Sequence, residues 1–196
     1  MSDKQPVYEL VTDDLQELIV SGVRFGTIYA DPPWRYSNTA SRGAAANHYD
    51  TMTVDQICGL PVRELVADDA HLHLWTTNAF LFDAPRVMEA WGFTHQSEMV
   101  WVKPQMGLGN YWRVSHEFLL MGIRGDAPFR GEPQRSWIMH DRLKHSAKPE
   151  AFRKAVERVS PGPCLELFAR VAAPGWSAWG NEVRQTMFSN HKQAGA

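Results

Sequence analysis

Phe25-Gly26-Thr27-Ile28-Tyr29-Ala30-Asp31-Pro32-Pro33-Trp34 is a short apolar, β-rich run that breaks off at a carboxylate, two prolines and an indole. The first six residues read as a buried strand. Two prolines without N–H groups and with fixed φ end it, and they push Asp31 toward extended geometry. The Asp31 side chain and the Pro32 carbonyl are thereby held stiffly as two acceptors for one incoming NH₂ group, and Trp34 offers a flat face for stacking. An aromatic exocyclic amine is a poor nucleophile because its lone pair is delocalised into the ring. Two fixed acceptors that hold both N–H bonds turn the nitrogen toward tetrahedral geometry. A carboxylate beside it also stabilises the charge that grows there in a transition state.

Outward from this corner, strands alternate with amphipathic helices. Upstream, Thr12 is placed to cap a short helix whose first turn carries Asp13 and Asp14, with Leu15, Leu18 and Ile19 on one face and Gly22 as its stop. Downstream, 71–76 reads as a strand with Leu72 and Leu74 on one face and His71, His73 and Trp75 on the other. Phe80, Leu81, Ala84, Val87, Met88 and Trp91 form a helical stripe, restarted at Pro85 with Asp83 as cap and ended by Gly92. Strands are expected at 98–102, 117–123, 164–169 and 176–179. Pro149 is expected as the first residue of a helix with Ala151, Phe152, Ala155, Val156 and Val159 on one face, terminated by Pro161-Gly162. The pattern predicts an α/β domain with a mostly parallel central sheet, in which ligands bind beyond the carboxyl ends of the strands. The weakly periodic stretches 31–53, 103–115 and 124–147 are then candidate binding loops.

Composition narrows the function. The 196 residues are 44% hydrophobic and 21% charged, which suits one globular domain over 1–196, with 184–196 expected as a flexible tail. Two cysteines in no CxxC pair exclude a disulfide scaffold and a thiolate zinc module. No apolar run reaches the roughly 20 residues of a membrane span, and a cytoplasmic location is expected. The net charge of −2 is uneven: residues 1–112 carry −7, whereas 113–158 carry +4. A local basic segment in a near-neutral chain, with Arg113, Arg124, Arg130, Arg135, Arg142, Lys144, Lys148, Arg153, Lys154 and Arg158, suits an enzyme that touches a few phosphates. So small a footprint makes a homodimer plausible. His71 and His73 lack a third ligand at metal spacing and read as core or hydrogen-bonded residues, so no metal is expected. His140 and His145 read as structural or phosphate-facing rather than catalytic. There is no G-x-G-x-x-G fingerprint of a dinucleotide oxidoreductase.

The Asp31-Pro32-Pro33-Trp34 motif after a hydrophobic strand resembles that of the permuted S-adenosylmethionine-dependent adenine-N6 methyltransferases, related to the catalytic subunit of the mRNA adenosine methyltransferase. The likeness extends in order through Tyr49-Asp50-Thr51-Met52, Leu74-Trp75, Trp91-Gly92-Phe93, Trp101-Val102-Lys103 and His116-Glu117. It continues through His145-Ser146-Ala147-Lys148-Pro149, Leu165-Glu166-Leu167-Phe168-Ala169-Arg170, Pro174-Gly175-Trp176 and Trp179-Gly180-Asn181-Glu182, so that it covers residues 13–183.

The resemblance implies a Rossmann-like methyltransferase fold with permuted motif order, S-adenosylmethionine as cofactor and a nucleic-acid substrate. By the same resemblance Asp31, Pro32, Pro33 and Trp34 form the catalytic corner. Asp13 or Asp14 meets the cofactor's adenine amino group, and Asp31 also meets its methionine end. Lys148 pairs with its carboxylate, and Arg170, Asn181 and Glu182 hold the ribose hydroxyls. Glu166 orients neighbouring basic residues, and Phe168 belongs to the same cofactor set. Tyr49 and Trp101 wall the acceptor base, Glu117 steers Lys103, and Arg113, Arg124, Arg130, Arg135, Arg142 and Lys144 fit as phosphate contacts around the mouth. A base within a duplex would have to be flipped to arrive there.

Departures from the family pattern are Glu182 in place of a Gln, Val171-Ala172-Ala173 in place of a more polar stretch, and no RNA-binding zinc module. The short form resembles bacterial or phage-type members, which act on DNA. Methylation of RNA adenosine or cytosine N4 is the alternative, and an inactive cofactor-binding recognition subunit is the third reading. The intact Asp31 and Trp34 weigh against the third, since such subunits typically lose both.

Overall fold

The computed structural model describes residues 9–36, 51–107, 111–144 and 147–183. Tyr49, His145 and the segment 184–196 lie outside the described residues. In chain order the elements are β1 (Val11–Thr12), α1 (Leu15–Val20), β2 (Phe25–Ala30), α2 (Val54–Cys58), β3 (Val66–Thr76), α3 (Ala84–Ala90), β4 (Thr94–Val102), β5 (His116–Arg124), β6 (Trp137–Met139), α4 (Glu150–Val159), β7 (Cys164–Leu167) and β8 (Trp176–Trp179). They build one eight-stranded sheet in the order β1-β8-β7-β2-β3-β5-β4-β6. Only the pairings of β5 with β3 and with β4 are antiparallel, so the sheet is mostly parallel, as expected.

Helices cover both faces. Leu18, Ile57, Val87, Met88 and Trp91 pack with Ile28, Leu72 and Leu74 on one side. Phe152 and Val156 of α4 pack with Tyr29, Trp75, Trp101 and Trp176 on the other. β2 lies between β7 and β3 with all six residues buried, which accounts for its uninterrupted apolar character. Gly26 is required there. A Cβ would sit 2.8 Å from the Gly162 carbonyl oxygen, where the chain crosses β2 on its way into β7. His71 and His73 on the α4 face are buried and share the Ser160 hydroxyl at 2.9 and 2.8 Å, while His71 Nε2 lies 3.1 Å from the Ala127 carbonyl. Burial pushes His73 down to about 3, with His71 adding to the shift. No helix among the described residues is long and apolar enough to cross a membrane.

Several local expectations are corrected. Asp14, not Thr12, caps α1, its carboxylate accepting from the Gln16 N–H. Thr12 lies in β1 instead, its hydroxyl accepting from the Asp14 N–H. Asp83 sits at the N-cap of α3 in helical geometry, where its side chain makes no capping bond. Pro149 precedes the first residue of α4 with ψ 133°, because extended geometry there sets the entry angle of the helix. β7 stops at Leu167 rather than 169, because Phe168 adopts φ 63°. β3, β4 and β5 are longer than their apolar cores, since polar residues such as Asp68, Asp69 and Gln96 are carried at exposed positions where the register shifts. β1, α2 and β6 were not foreseen: two or three residues of strand carry no periodicity, and β6 interrupts the expected loop 124–147.

Candidate active site

The carboxyl end of β2 delivers Asp31 to a cleft of about 550 Å³. The following turn is stitched to a neighbouring segment. The Trp34 N–H donates to the Pro32 carbonyl at 2.9 Å, the Met52 N–H to Pro33 at 2.8 Å, and the Arg35 N–H back to Met52 at 2.9 Å. The Pro32 carbonyl therefore already accepts one bond and keeps its second lone pair. The Trp34 indole N–H donates to the Trp75 carbonyl at 3.1 Å at the end of β3, and its ring stacks on Phe80 with centroids 5.1 Å apart. This qualifies the expected stacking platform: Phe80 occupies one face of Trp34, and the side chain is only 7% exposed.

Four charged side chains form an alternating row, of which Asp31, Lys148 and Glu117 line the cleft and Lys103 stands behind them. Lys148, just before α4, places Nζ 2.6 Å from Asp31 Oδ2 and 3.4 Å from Glu117 Oε2 at the start of β5. The other Glu117 oxygen is ion-paired with Lys103 at the end of β4. Lys103 Nζ stands 4.2 Å from the Trp101 ring centre, and Lys148 Nζ 5.3 Å from that of Trp75. Burial is the largest influence on Lys148 and draws its ammonium down, but Asp31 and Glu117 together outweigh it and the net shift is upward. Lys148 is thus a fixed cation at neutral pH, shared by two carboxylates.

The opposite wall comes from the ends of β7 and β8. Phe168, Ala169, Arg170, Trp179, Gly180, Asn181 and Glu182 all line the cleft. Gly180 makes this wall possible, since a Cβ would meet the Ala169 carbonyl oxygen at 2.0 Å. The Ala169 N–H donates to the Trp179 carbonyl at 2.9 Å, and Phe168 packs edge-on against Trp179 with centroids 5.1 Å apart. The left-handed φ of Phe168, uncommon for an aromatic residue, turns the chain out of β7 toward the cleft.

The structure thus brings Asp31, Pro32, Pro33, Trp34, Glu117, Lys148, Phe168, Arg170, Asn181 and Glu182 into one cleft. Other expected site residues stand apart from its lining. Asp14 is engaged in the cap of α1, while the Asp13 carbonyl accepts from the Trp179 indole at 3.1 Å, beside the wall. Trp101 is 2% exposed, beneath Lys103, with its indole N–H donating to the His140 carbonyl at 2.8 Å. Arg142 and Lys144 are exposed on the segment that follows β6. Glu166 faces α4, where Arg153 Nη2 approaches Oε2 at 2.7 Å, an ionic distance but off the direction a hydrogen bond requires. Burial raises the Glu166 carboxyl to about 7, with Arg153 opposing the shift and Asp31 adding to it. The basic residue beside Glu166 is Arg153, which the sequence did not single out as its partner.

Tyr36 and Thr77 are cleft residues that sequence reasoning missed. They are joined hydroxyl to hydroxyl at 3.0 Å, and Tyr36 lies edge-on to Phe80. The only signal for Tyr36 was its place two residues beyond the Asp31–Trp34 motif. A second cavity of about 240 Å³ under α4, lined by His73, Met99, Leu119 and Val156 among others, is largely apolar, and of the residues expected to serve function only Arg135 lines it.

The sequence pattern of the MT-A70 family matches residues 25–182. The chain is similar to the type II methyltransferase M.MunI of Mycoplasma sp, 30% identical over 182 residues that cover 82% of this chain and 78% of that protein. It is 29% identical over 190 residues to the N(6)-adenine-specific methyltransferase METTL4 of Mus musculus, covering 86% of this chain and 40% of the relative. It is 28% identical over 184 residues to the N(6)-adenosine-methyltransferase catalytic subunit METTL3 of Homo sapiens, covering 87% and 30%. The chain therefore spans less than half the length of these two mammalian relatives.

Proposed function

This chain belongs to the MT-A70 family, and from that membership we propose that it methylates N6 of adenine in DNA with S-adenosylmethionine as the methyl donor. The observation that carries the reading is the meeting of Asp31 and Lys148 at 2.6 Å in a cleft whose other wall holds Arg170, Asn181 and Glu182.

The donor set suits that cofactor. The Lys148 ammonium matches a carboxylate, the carboxylate and amide of Glu182 and Asn181 match hydroxyls, and Phe168 offers an apolar ring beside them. When bound, S-adenosylmethionine supplies an electrophilic methyl group on a positively charged sulfur. Asp31 and the free lone pair of the Pro32 carbonyl accept the two N–H bonds of the target amine and fix the direction of its lone pair. As the nitrogen gains positive charge, the Asp31 carboxylate stabilises it more than it stabilises the neutral amine, which lowers the barrier. Nitrogen is left with one proton in excess, for which Asp31 is the nearest acceptor on the chain. Lys148 leaning on Asp31 and Glu117 keeps the corner oriented, and the apolar stack of Trp34 on Phe80 stiffens it from behind.

DNA is favoured by the likeness to a type II methyltransferase, 78% of whose length is covered. RNA adenosine is the second reading, favoured by the relatives named as adenosine or RNA methyltransferases. Cytosine N4 presents the same two N–H donors. Two chains acting together would double a small phosphate footprint. The test is incubation with labelled S-adenosylmethionine and matched DNA and RNA, followed by digestion and mass spectrometry of the nucleosides. N6-methyldeoxyadenosine is the expected product; label only in N6-methyladenosine or N4-methylcytosine overturns the substrate assignment, and no label in any nucleoside overturns the reaction.

A further inference from the structure

Thr76 pairs with Phe118, His116 with Val102, and Val102 with Met139, so the ends of β3, β4 and β6 and the start of β5 lie along one edge of the sheet. It is the edge at which Glu117 reaches the cleft. Two loops leave it side by side, one joining β4 to β5 and one running from β6 to α4. The first is closed at its base by the Lys103 N–H donating to the Ser115 carbonyl at 2.7 Å. Gln105 ties it to the second: its Nε2 donates to Asp141 Oδ1 at 2.6 Å, and its Oε1 accepts from the Arg142 N–H at 3.2 Å. Gly107 lets the first loop fold on itself, since a Cβ would meet the Val114 carbonyl oxygen at 1.9 Å, and Arg113 Nη1 reaches the Gly107 carbonyl at 3.3 Å.

This braced loop presents Tyr111 and Trp112 at 94% and 93% exposure. Large aromatic side chains left in water beside one another mark an interaction site rather than ordinary surface. Their surroundings say what kind. Arg113, Arg142 and Lys144 are exposed on the same two loops, and the acidic neighbour Asp141 is engaged by Gln105. Flat π-faces among cations, with the nearby carboxylate occupied, complement unpaired bases on a phosphate backbone. Protein interfaces are likewise enriched in Tyr, Trp and Arg but depleted of Lys, so Lys144 beside the arginines favours a phosphate backbone.

We propose that Tyr111 and Trp112 form a stacking platform for unpaired bases next to the target nucleotide, with Arg113, Arg142 and Lys144 on its phosphates. The inference rests on the nucleic-acid reading of the cleft and adds to it a preference for single-stranded or locally opened substrate.

The test is fluorescence anisotropy with a labelled, adenine-containing DNA single strand of about a dozen nucleotides, within the span that such platforms cover. Trp112→Ala is expected to weaken binding roughly ten- to hundredfold, as loss of one stacked base does, with Trp112→Phe restoring most of it. Calorimetric binding of S-adenosylhomocysteine is expected to be the same in wild type and both variants, which separates the platform from the cofactor cleft and reports intact folding. Equal strand affinity in wild type and Trp112→Ala overturns the proposal. So does a wild-type dimer that Trp112→Ala converts to monomer with strand affinity unchanged, since the surface then belongs to a second copy. Strand binding that depends on Trp112 in a protein that methylates no nucleic acid leaves the platform standing and sinks only the reaction.

Discussion

Two carboxylates on adjacent strands each face a cation of the helix region that follows β6, yet they answer to different physics. Asp31, at the end of β2, meets Lys148 in the open cleft and keeps 32% of its side chain exposed. Glu166, on β7, meets Arg153 between the sheet and α4, and its side chain is 14% exposed. In the cleft, a second carboxylate, Glu117, shares the cation, so Lys148 is held in place while Asp31 keeps an open side. Under α4 the carboxylate itself is the buried partner, and burial raises the Glu166 carboxyl to about 7 despite the guanidinium. A carboxylate with an open side can serve chemistry; one turned inward under a helix can only hold structure or titrate.

The comparison can be broken most sharply at Asp31. Asp31→Asn keeps the shape and removes the charge, and a loss of turnover of roughly 10²–10³-fold is expected. Thermal unfolding should be nearly unchanged, so a rate close to that of the parent would remove Asp31 from the reaction. Arg153→Met has the opposite profile. It leaves Glu166 without its cation, at a cost of about 2–3 kcal/mol in stability at pH 8, where the carboxyl is ionised in the parent. At pH 6 the cost should be smaller, because a carboxyl that titrates near 7 is already neutral there; urea unfolding at the two pH values reads the difference.

Glu166 also sets a sign for pH dependence. Its folded value lies above that of a free carboxyl, so the folded protein holds a proton that the unfolded chain has released. The contribution is complete below about pH 4.5 and fades as pH rises through 7, amounting to roughly 3 kcal/mol at most. Glu166→Gln should remove that slope without touching turnover chemistry, and a slope that persists in the variant would assign it elsewhere. The smallest expected effect is that of Lys148→Met on ligand affinity: about tenfold weaker calorimetric binding of S-adenosylhomocysteine, from loss of the carboxylate partner. Arg153→Met, on the sealed side, should leave that affinity alone.

Legibility varied with the range of the interaction. The Asp31–Trp34 corner could be read because prolines act on the backbone locally, and their effect needs no neighbours. The elements themselves were legible where burial follows the local sequence, as in α4, whose buried residues keep a helical period, and in β2, whose run is buried throughout. β1 and β6 were not, since each owes its strand geometry to the neighbour it pairs with rather than to its own two or three residues. Trp101 illustrates the limit within the site. An aromatic residue near a functional lysine looks the same in sequence whether it walls a ligand or, as here, lies buried under that lysine.

The sequence by itself determined the stiff corner at Asp31–Trp34, the α/β class and the family, because local backbone restriction and ordered motifs survive without tertiary context. Only the tertiary structure decided which carboxylate shares which cation. Asp31 and Lys148 are 117 positions apart in the chain, and whether such a pair opens to water or is sealed under a helix depends on which face of the sheet each side chain takes.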